Sequence, residues 1–227
     1  WKLTSKRKRS QTEDEHLRRI GARIRTAFEE LGPTFIKLGQ VLVTRQDLLP
    51  EPVTLELEKL LDEVPPIEYE QLQFILEDEL PEGVDTFEWI DENPLGSASL
   101  AQVYKAKLKD GTMAAVKIVR PTVDKFFQTD IKVIKKMTGL LQKRLPPELA
   151  TAVDLGSLIN DYYSSAMDEL DMMEEAEKMR EPARKYRPVT DYVDVPNVYD
   201  ATKNVLIMEY IDGWMIKDFP VDFLTFE

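Results

Sequence analysis

The sequence predicts an α+β fold: a small antiparallel sheet with a long helix paired to it, preceded by a set of short helices. Three observations carry that reading. Asp110-Gly111 sits between two apolar-alternating runs, the strongest short-range signal for a β-hairpin. The first 80 or so residues repeat apolar side chains at helical spacing, broken by Gly32-Pro33, Pro50, Pro52 and Pro65-Pro66. After the hairpin the chain returns to helical periodicity, and then closes on the continuous apolar run Val205-Leu206-Ile207-Met208-Glu209-Tyr210, read as a central strand.

The elements follow in order. Thr12 and Glu15 have capping-box spacing ahead of Leu17, Ile20, Ile24, Phe28 and Leu31. Phe35, Leu38, Val41 and Leu42 predict a second helix over 34–44, with Lys37 and Gln40 three apart on one face. Gly39 costs that helix about 1 kcal/mol relative to Ala, which fits either a close approach by another backbone or a plain kink. Leu55, Leu57, Leu60 and Leu61 suggest a third helix, and Leu72, Ile75 and Leu76 a fourth over 68–80. Strand-like residues begin at Thr86, so a domain boundary is placed near Gly83, dividing 1–82 from 83–227.

In the hairpin's second strand Ala115 and Lys117 share one face, and Ala114, Val116 and Ile118 the other. A lone Lys beside a tiny Ala in an apolar strand has two readings. In one, Ala makes room for a flat base and Lys reaches its phosphates, with the small residues Gly96, Ser97, Ala98 and Ser99 lying over those phosphates. In the other, this is a surface hairpin with a snorkelling Lys. Beyond Pro121, a stripe of Phe126, Phe127, Ile131, Ile134, Met137 and Leu141 predicts a helix to about Leu145, stopped by Pro146-Pro147. One long helix is then predicted from Asp154 to about Pro182, with Leu155, Leu158, Ile159, Tyr162, Ala166, Leu170 and Met173 on one side. Glu169 falls on or beside that stripe and needs a cation or metal to meet it. Asp171 and Glu175 lie four apart on a different face, and they, with Asp168 and Glu174, read as solvated acids on a charged helix, Glu169 less so. Val193, Val195 and Val198 suggest a further strand interrupted by Pro196.

Composition narrows the function classes. With 43% hydrophobic and 32% charged residues the chain has the balance of a globular protein. It has no cysteine, which excludes disulfides and thiolate metal sites; its single histidine, His16, lies among charged residues near a helix start and reads as a solvated surface side chain, which effectively excludes His-based zinc sites and Ser-His-Asp triads. The net charge of −12 is uneven, because Lys2, Lys6, Arg7, Lys8, Arg9, Arg18, Arg19, Arg23 and Arg25 make the first 25 residues basic. A basic head on an acidic body argues against nucleic-acid binding, which wants a broad positive face. It fits contact with an anionic membrane, or a solvated terminus. No run reaches the ~20 apolar residues of a membrane span. The chain begins at Trp1 rather than Met, and a trimmed N-terminus is expected.

Taken together, these segments resemble the UbiB-like (aarF-domain) atypical kinase family, from about Arg23 to Gly213. Four segments carry the resemblance, in the family's order. Lys37-Leu38-Gly39-Gln40 matches the Lys-x-Gly-Gln signature of the family's N-terminal extension. Gly96-Ser97-Ala98-Ser99, followed by Leu100-Ala101-Gln102-Val103, stands where the family has an Ala-rich loop. Ala114-Ala115-Val116-Lys117 matches the strand bearing the nucleotide-binding Lys. Glu169-Leu170-Asp171, with Glu175-Ala176 following, matches the Glu-x-Asp signature and the helix Glu that pairs with that Lys.

The resemblance implies a protein-kinase-like N-lobe behind a helical extension, binding ATP or ADP with Mg2+. By position, Lys117 would contact the phosphates and pair with Glu175. Ala115 would flank the adenine, Met208 would be the gatekeeper, and Glu209, Tyr210 and Ile211 would form the hinge. Lys37 and Gln40 would face Glu169 and Asp171, the extension covering the place where a protein kinase holds its peptide. That arrangement implies ATPase action, or a prenyl-lipid or quinone-precursor substrate in ubiquinone or related metabolism, rather than a protein substrate. Two features depart from the family. The loop opens Gly96-Ser97 rather than with two alanines, and only fourteen residues follow Gly213, before any catalytic-loop Asp, metal-binding Asn or Asp-Phe-Gly segment. Asp154-Leu155-Gly156 imitates the last of these but precedes the paired Glu, in the wrong place. The expectation is therefore the ATP-binding part of an atypical kinase or ATPase that lacks its C-lobe and is inactive alone. Its expected location is cytoplasmic, or on the stromal or matrix side of an organelle, peripheral to a membrane. The alternative is a non-catalytic membrane- or protein-interaction module on a kinase-like scaffold.

Overall fold

A computed structural model describes residues 11–45, 48–61, 64–144, 154–186 and 194–213. The basic residues Lys2, Lys6, Arg7, Lys8 and Arg9, the Pro146-Pro147 stop and Val193 lie outside them, as does everything after Gly213. The helices are α1 (Gln11–Leu31), α2 (Pro33–Thr44), α3 (Glu51–Leu57), α4 (Tyr69–Glu79), α5 (Pro121–Gln142), α6 (Leu155–Glu169) and α7 (Met172–Tyr186). The strands are β1 (Phe87–Ile90), β2 (Gly96–Ser97), β3 (Ala101–Leu108), β4 (Met113–Val119), β5 (Val198–Ala201) and β6 (Val205–Glu209). They form one antiparallel sheet in the order β1-β3-β4-β6-β5, with β2 added to β3. The α+β architecture expected from the sequence is the one observed, and β6 lies between β4 and β5 as its apolar run requires.

The hairpin closes at Asp110-Gly111: Gly111 adopts φ 91°, and the Thr112 N–H donates to Asp110 Oδ1 at 2.9 Å. A positive φ at this point is what selects Gly. From the hairpin outward the sheet has two unlike faces. Tyr104, Ala106, Ala114, Val116, Ile118, Val205 and Ile207 pack on Leu72, Ile75, Leu76 and Leu80 of α4 and its C-terminal end. The opposite face carries Ala101, Ala115, Lys117, Val119, Leu206 and Met208. Of these Val119 and Leu206 join a core made with α2, α5, α6 and α7, against which Met208 packs. Helix α4, although N-terminal to residue 83, is thus the cover of one sheet face.

The helical extension packs tightly at its glycines. A Cβ on Gly21 would stand 3.0 Å from the Val53 Cα, so α1 and α3 touch backbone to side-chain position. At Gly39 a Cβ would collide with the side chains of Leu60 and Phe28. The close approach that Gly39 permits is therefore by two apolar side chains, not by another backbone, and α2 is continuous across it.

Four sequence expectations are corrected. Helix α1 already includes Gln11, so Thr12 lies in its first turn rather than at its cap. The buried row of α5 is Val123, Phe127, Ile131 and Ile134, while Phe126, Met137 and Leu141 are exposed. The single helix expected from 154 to 182 is two helices. Leu170 ends α6 with its N–H on the Met167 carbonyl, and Asp171 Oδ1 then accepts the Glu174 N–H at 3.1 Å, capping α7. That new start buries Met172 and turns Met173 outward, reversing the face expected for Met173. Finally, α7 continues through Pro182 to Tyr186 although Pro has no N–H for the carbonyl four residues back.

The role of α4 gives a direct test. Leu76 is fully buried under the sheet and Phe74, on the same helix, is 71% exposed. Leu76→Ala is expected to lower the unfolding free energy by about 2–5 kcal/mol, and Phe74→Ala by no more than about 0.5 kcal/mol, in chemical denaturation. Equal, small effects would show that α4 is not part of the sheet's core.

Candidate functional site

Strand β4 places Ala115 and Lys117 two residues apart on one face. Ala115 pairs with Lys105 on β3 and Met208 on β6, and Lys117 pairs with Val103 and Leu206. In an antiparallel sheet such partners share a face, so Ala115 and Met208 lie side by side and the Lys117 stem rises between apolar neighbours. Its Nζ donates to both carboxylate oxygens of Glu175, each at 2.7 Å. Glu175 stands in the first turn of α7, a position set by the Asp171 cap and by the Met172 N–H on the Lys203 carbonyl between β5 and β6. An acid there is favoured by the unsatisfied N–H groups of the helix start. The pair is partly shielded, with both side chains about a quarter exposed, so its charges are screened less than those of a surface pair.

A second ion pair lies at the other side of the α6–α7 junction. Lys37 Nζ on α2 donates to both oxygens of Glu169, the last residue of α6, at 2.7 Å. This is the cation that the position of Glu169 called for. Nearby, burial pushes the Tyr162 phenol well above its ordinary range, with the charges of Asp130 and Glu169 adding to it. Its hydroxyl donates to the Thr34 carbonyl at 2.6 Å, and Thr34 Oγ1 donates to Asp130. These bonds fix α2 against α5 and α6 and so hold Lys37 in place.

Gln40, one turn beyond Lys37, does not face Glu169 or Asp171. Its Nε2 donates to the Leu60 carbonyl at 2.8 Å, and its Oε1 accepts from Ser99 Oγ at 3.3 Å. Asp171 is likewise occupied as the α7 cap rather than with Lys37 or Gln40. The two α2 side chains therefore divide their work, Lys37 to the end of α6 and Gln40 to the small-residue loop.

Gly96 and Ser97 form β2 against Val103 and Gln102 of β3, and Ala98 closes a turn through its N–H to the Ala101 carbonyl. Ser97 and Ser99 are buried. No Cβ contact falls within 4 Å at Gly96, so this glycine is not demanded by packing. At the end of β6, the Glu209 N–H donates to the Asn197 carbonyl at 2.8 Å and its carboxylate accepts from Asn197. Tyr210 lies under the Lys105 ammonium, 4.3 Å from the ring centroid, and Ile211 is exposed. Arg120 was not singled out from sequence, yet it is buried and bonded to the loop. A charged residue ending an apolar strand directly before a helix-starting proline was the available signal. Among the described residues no three or more His, Asp or Glu side chains converge as a metal site would need.

Residues 59–221 match the model of the ABC1 atypical kinase-like domain. The chain is 38% identical over 209 residues to a protein of Marinobacter nauticus named probable protein kinase UbiB, covering 88% of this chain and 37% of that protein. It is 37% identical over 204 residues to the protein of the same name from Aeromonas salmonicida, with the same coverage. An uncharacterized protein of the hydrogenase 1 5' region in Clostridium pasteurianum is 39% identical over 198 residues, 86% of this chain and 37% of that one. The chain thus spans a little over a third of the length of these relatives. Among solved structures, Rv3197 of Mycobacterium tuberculosis, determined with erythromycin, superposes with a TM-score of 0.55 at 28% identity, over 89% of this chain and 51% of that one. The chain belongs to the ABC1 atypical kinase-like family, the family of the UbiB proteins.

Proposed function

We propose that this chain is the nucleotide-binding part of a UbiB-like atypical kinase or ATPase. The observation that carries the reading is the Lys117–Glu175 pair. An ammonium has three donors; two go to Glu175, and the third is available to a phosphate oxygen. Glu175 positions Lys117, and Ala115, beside Met208, would flank a flat base. The loop at 96–99 would lie over the phosphates and the backbone at 209–211 along the base edge. Magnesium would accompany the nucleotide; the described residues do not form a metal site of their own. ATP would supply a phosphoryl group, and the chain's own residues hold and orient the nucleotide. The acceptor class in the intact protein is a prenyl lipid or quinone precursor, or water. This is supported by α2, which Lys37 and Gln40 fasten to α6 and the loop.

Titration with a fluorescent ATP analogue tests the nucleotide reading. The chain is expected to bind it, to release it to unlabelled ATP and to hydrolyse neither. Lys117→Ala is expected to weaken binding about 10–100-fold, the range for losing a hydrogen bond to a charged group. Absence of binding, or binding indifferent to Lys117→Ala, would contradict the nucleotide reading; hydrolysis lost with Lys117→Ala would contradict only the expected lack of turnover.

The fastening of α2 is tested by a double-mutant cycle on Lys37→Met and Glu169→Gln. Glu169 is 41% exposed, so the coupling energy for stability is expected to be no more than about 1 kcal/mol and to fall with added salt. No coupling at low salt would show that the pair does not hold α2.

A second, compatible reading concerns a membrane surface, and α5 favours it. Val133, Met137 and Leu140 recur on one exposed face, and the exposed Lys132, Lys136 and Lys143 form the adjacent row. Residues 121–144 hold six basic and two acidic side chains in a chain of net charge −12. An apolar row edged by lysines suits an anionic lipid surface, and no helix among the described residues is long and apolar enough to cross a membrane. The chain is expected to float with phosphatidylglycerol vesicles but not with phosphatidylcholine alone. Lys132→Glu with Lys136→Glu should reduce that binding about tenfold or more, at roughly 1 kcal/mol per basic residue. Equal binding to neutral vesicles, or a dimer in solution lost on Met137→Ser, would contradict it.

A further inference from the structure

Among the described residues Arg120 is the one buried charged side chain, 6% exposed, and none of its hydrogen-bond partners is a carboxylate. Burying a guanidinium against dipoles alone is costly unless its donors are well placed. Here they are. Nε donates to the Ala98 carbonyl at 2.9 Å, and Nη2 donates to the Pro65 carbonyl at 3.0 Å and to Ser97 Oγ at 2.7 Å. The Ser97 hydroxyl in turn donates to the Val64 carbonyl at 2.6 Å, and the Val64 N–H returns to the Ser97 carbonyl at 3.1 Å. Gln102, 1% exposed, completes the group. In the amide orientation that satisfies all its neighbours, its oxygen accepts from Arg120 Nη1 at 3.1 Å and from the Ile67 N–H at 2.9 Å, and its nitrogen donates to Tyr104. The Arg120 N–H itself holds the Leu100 carbonyl at 2.9 Å.

These bonds join two segments far apart in sequence. One is the linker at 64–67, between the helical extension and α4; the other is the small-residue loop at 96–100. We propose that Arg120 is a positioning residue that latches this loop to the linker, so that the loop is set in its binding position before any nucleotide arrives. The inference rests on the nucleotide reading above and adds to it a determinant that touches no ligand. Only a planar, forked cation can reach Ala98, Pro65 and Ser97 at once; Lys offers a point charge with no fork. The latch also explains why a loop opening with Gly96 and Ser97 need not be mobile: Ser97 is itself a member of the network, and Gln40 holds Ser99 from the other side.

The test is amide hydrogen exchange on the whole chain without nucleotide, together with titration of the fluorescent ATP analogue, for wild type, Arg120→Met and Arg120→Lys. Arg120→Met is expected to speed exchange at 97–101 and at Val64 about tenfold or more, with 205–209 unchanged, and to weaken nucleotide binding about tenfold. Arg120→Lys should recover only part of both. Should Arg120→Met not fold, Gln102→Leu, which removes one acceptor of the guanidinium, should give a smaller change of the same sign in the same segments. Unchanged exchange at 97–101 in whichever variant folds would overturn the latch. Faster exchange with unaltered affinity would overturn its role in binding. If the wild-type chain binds no nucleotide, the nucleotide reading and the positioning role fall together, whereas the exchange result still decides whether the latch exists.

Discussion

The proposed nucleotide site depends on one ion pair across the sheet–helix interface, Lys117 of β4 with Glu175 of α7. A sheet strand can aim a Lys outward, and a helix start can stabilise an acid, but neither fixes the distance between them. That distance is set by covalent and hydrogen-bonded detail at the α6–α7 junction. Leu170 ends one helix, Asp171 caps the next, and Met172 is drawn under the sheet by its bond to the β5–β6 turn. Were the two helices one, as their apolar spacing suggests, Met172 and Met173 would exchange faces and Glu175 would rotate with them.

The helical extension is joined to this site rather than appended to it. Lys37 holds the end of α6, Gln40 holds Ser99, and the linker beyond α3 is held by Arg120 and Gln102. Helix α4 then passes beneath the sheet and supplies one side of its second core. Motion of the loop relative to β3 would break bonds in three elements at once. A ligand that met a loop held in this way would lose less free energy to ordering than one that met a free flap.

Local chemistry explains what could be read in advance. Asp110-Gly111 announced the hairpin because a positive φ is needed there, and the period-two pattern around Lys117 assigned both faces of β4 correctly. The spacing of Leu72, Ile75 and Leu76 placed α4 but could not say what it covers, since that depends on contacts with strands thirty to a hundred and thirty residues away. The break at Leu170 and Asp171 was hidden because an Asp on a charged helix and an Asp at a cap look alike in sequence. Glu169 could be recognised as needing a cation, but the choice of Lys37, 132 residues away, came only with the family resemblance. Gln40 and Asp171 show its limit, because their partners are Ser99, Leu60 and a backbone N–H rather than each other. Arg120 went unread for the same reason as α4: its partners are carbonyls 22 and 55 residues away, and a carbonyl leaves no mark in a sequence.

The most direct measurement of the central claim is labelling with an ATP-derived acyl phosphate, which transfers its acyl group to a Lys lying against the bound phosphates, followed by mass spectrometry of the whole chain. The account predicts that Lys117 is the dominant site and that excess unlabelled ATP suppresses it. Labelling spread over exposed lysines such as Lys132 and Lys136, and indifferent to ATP, would contradict it.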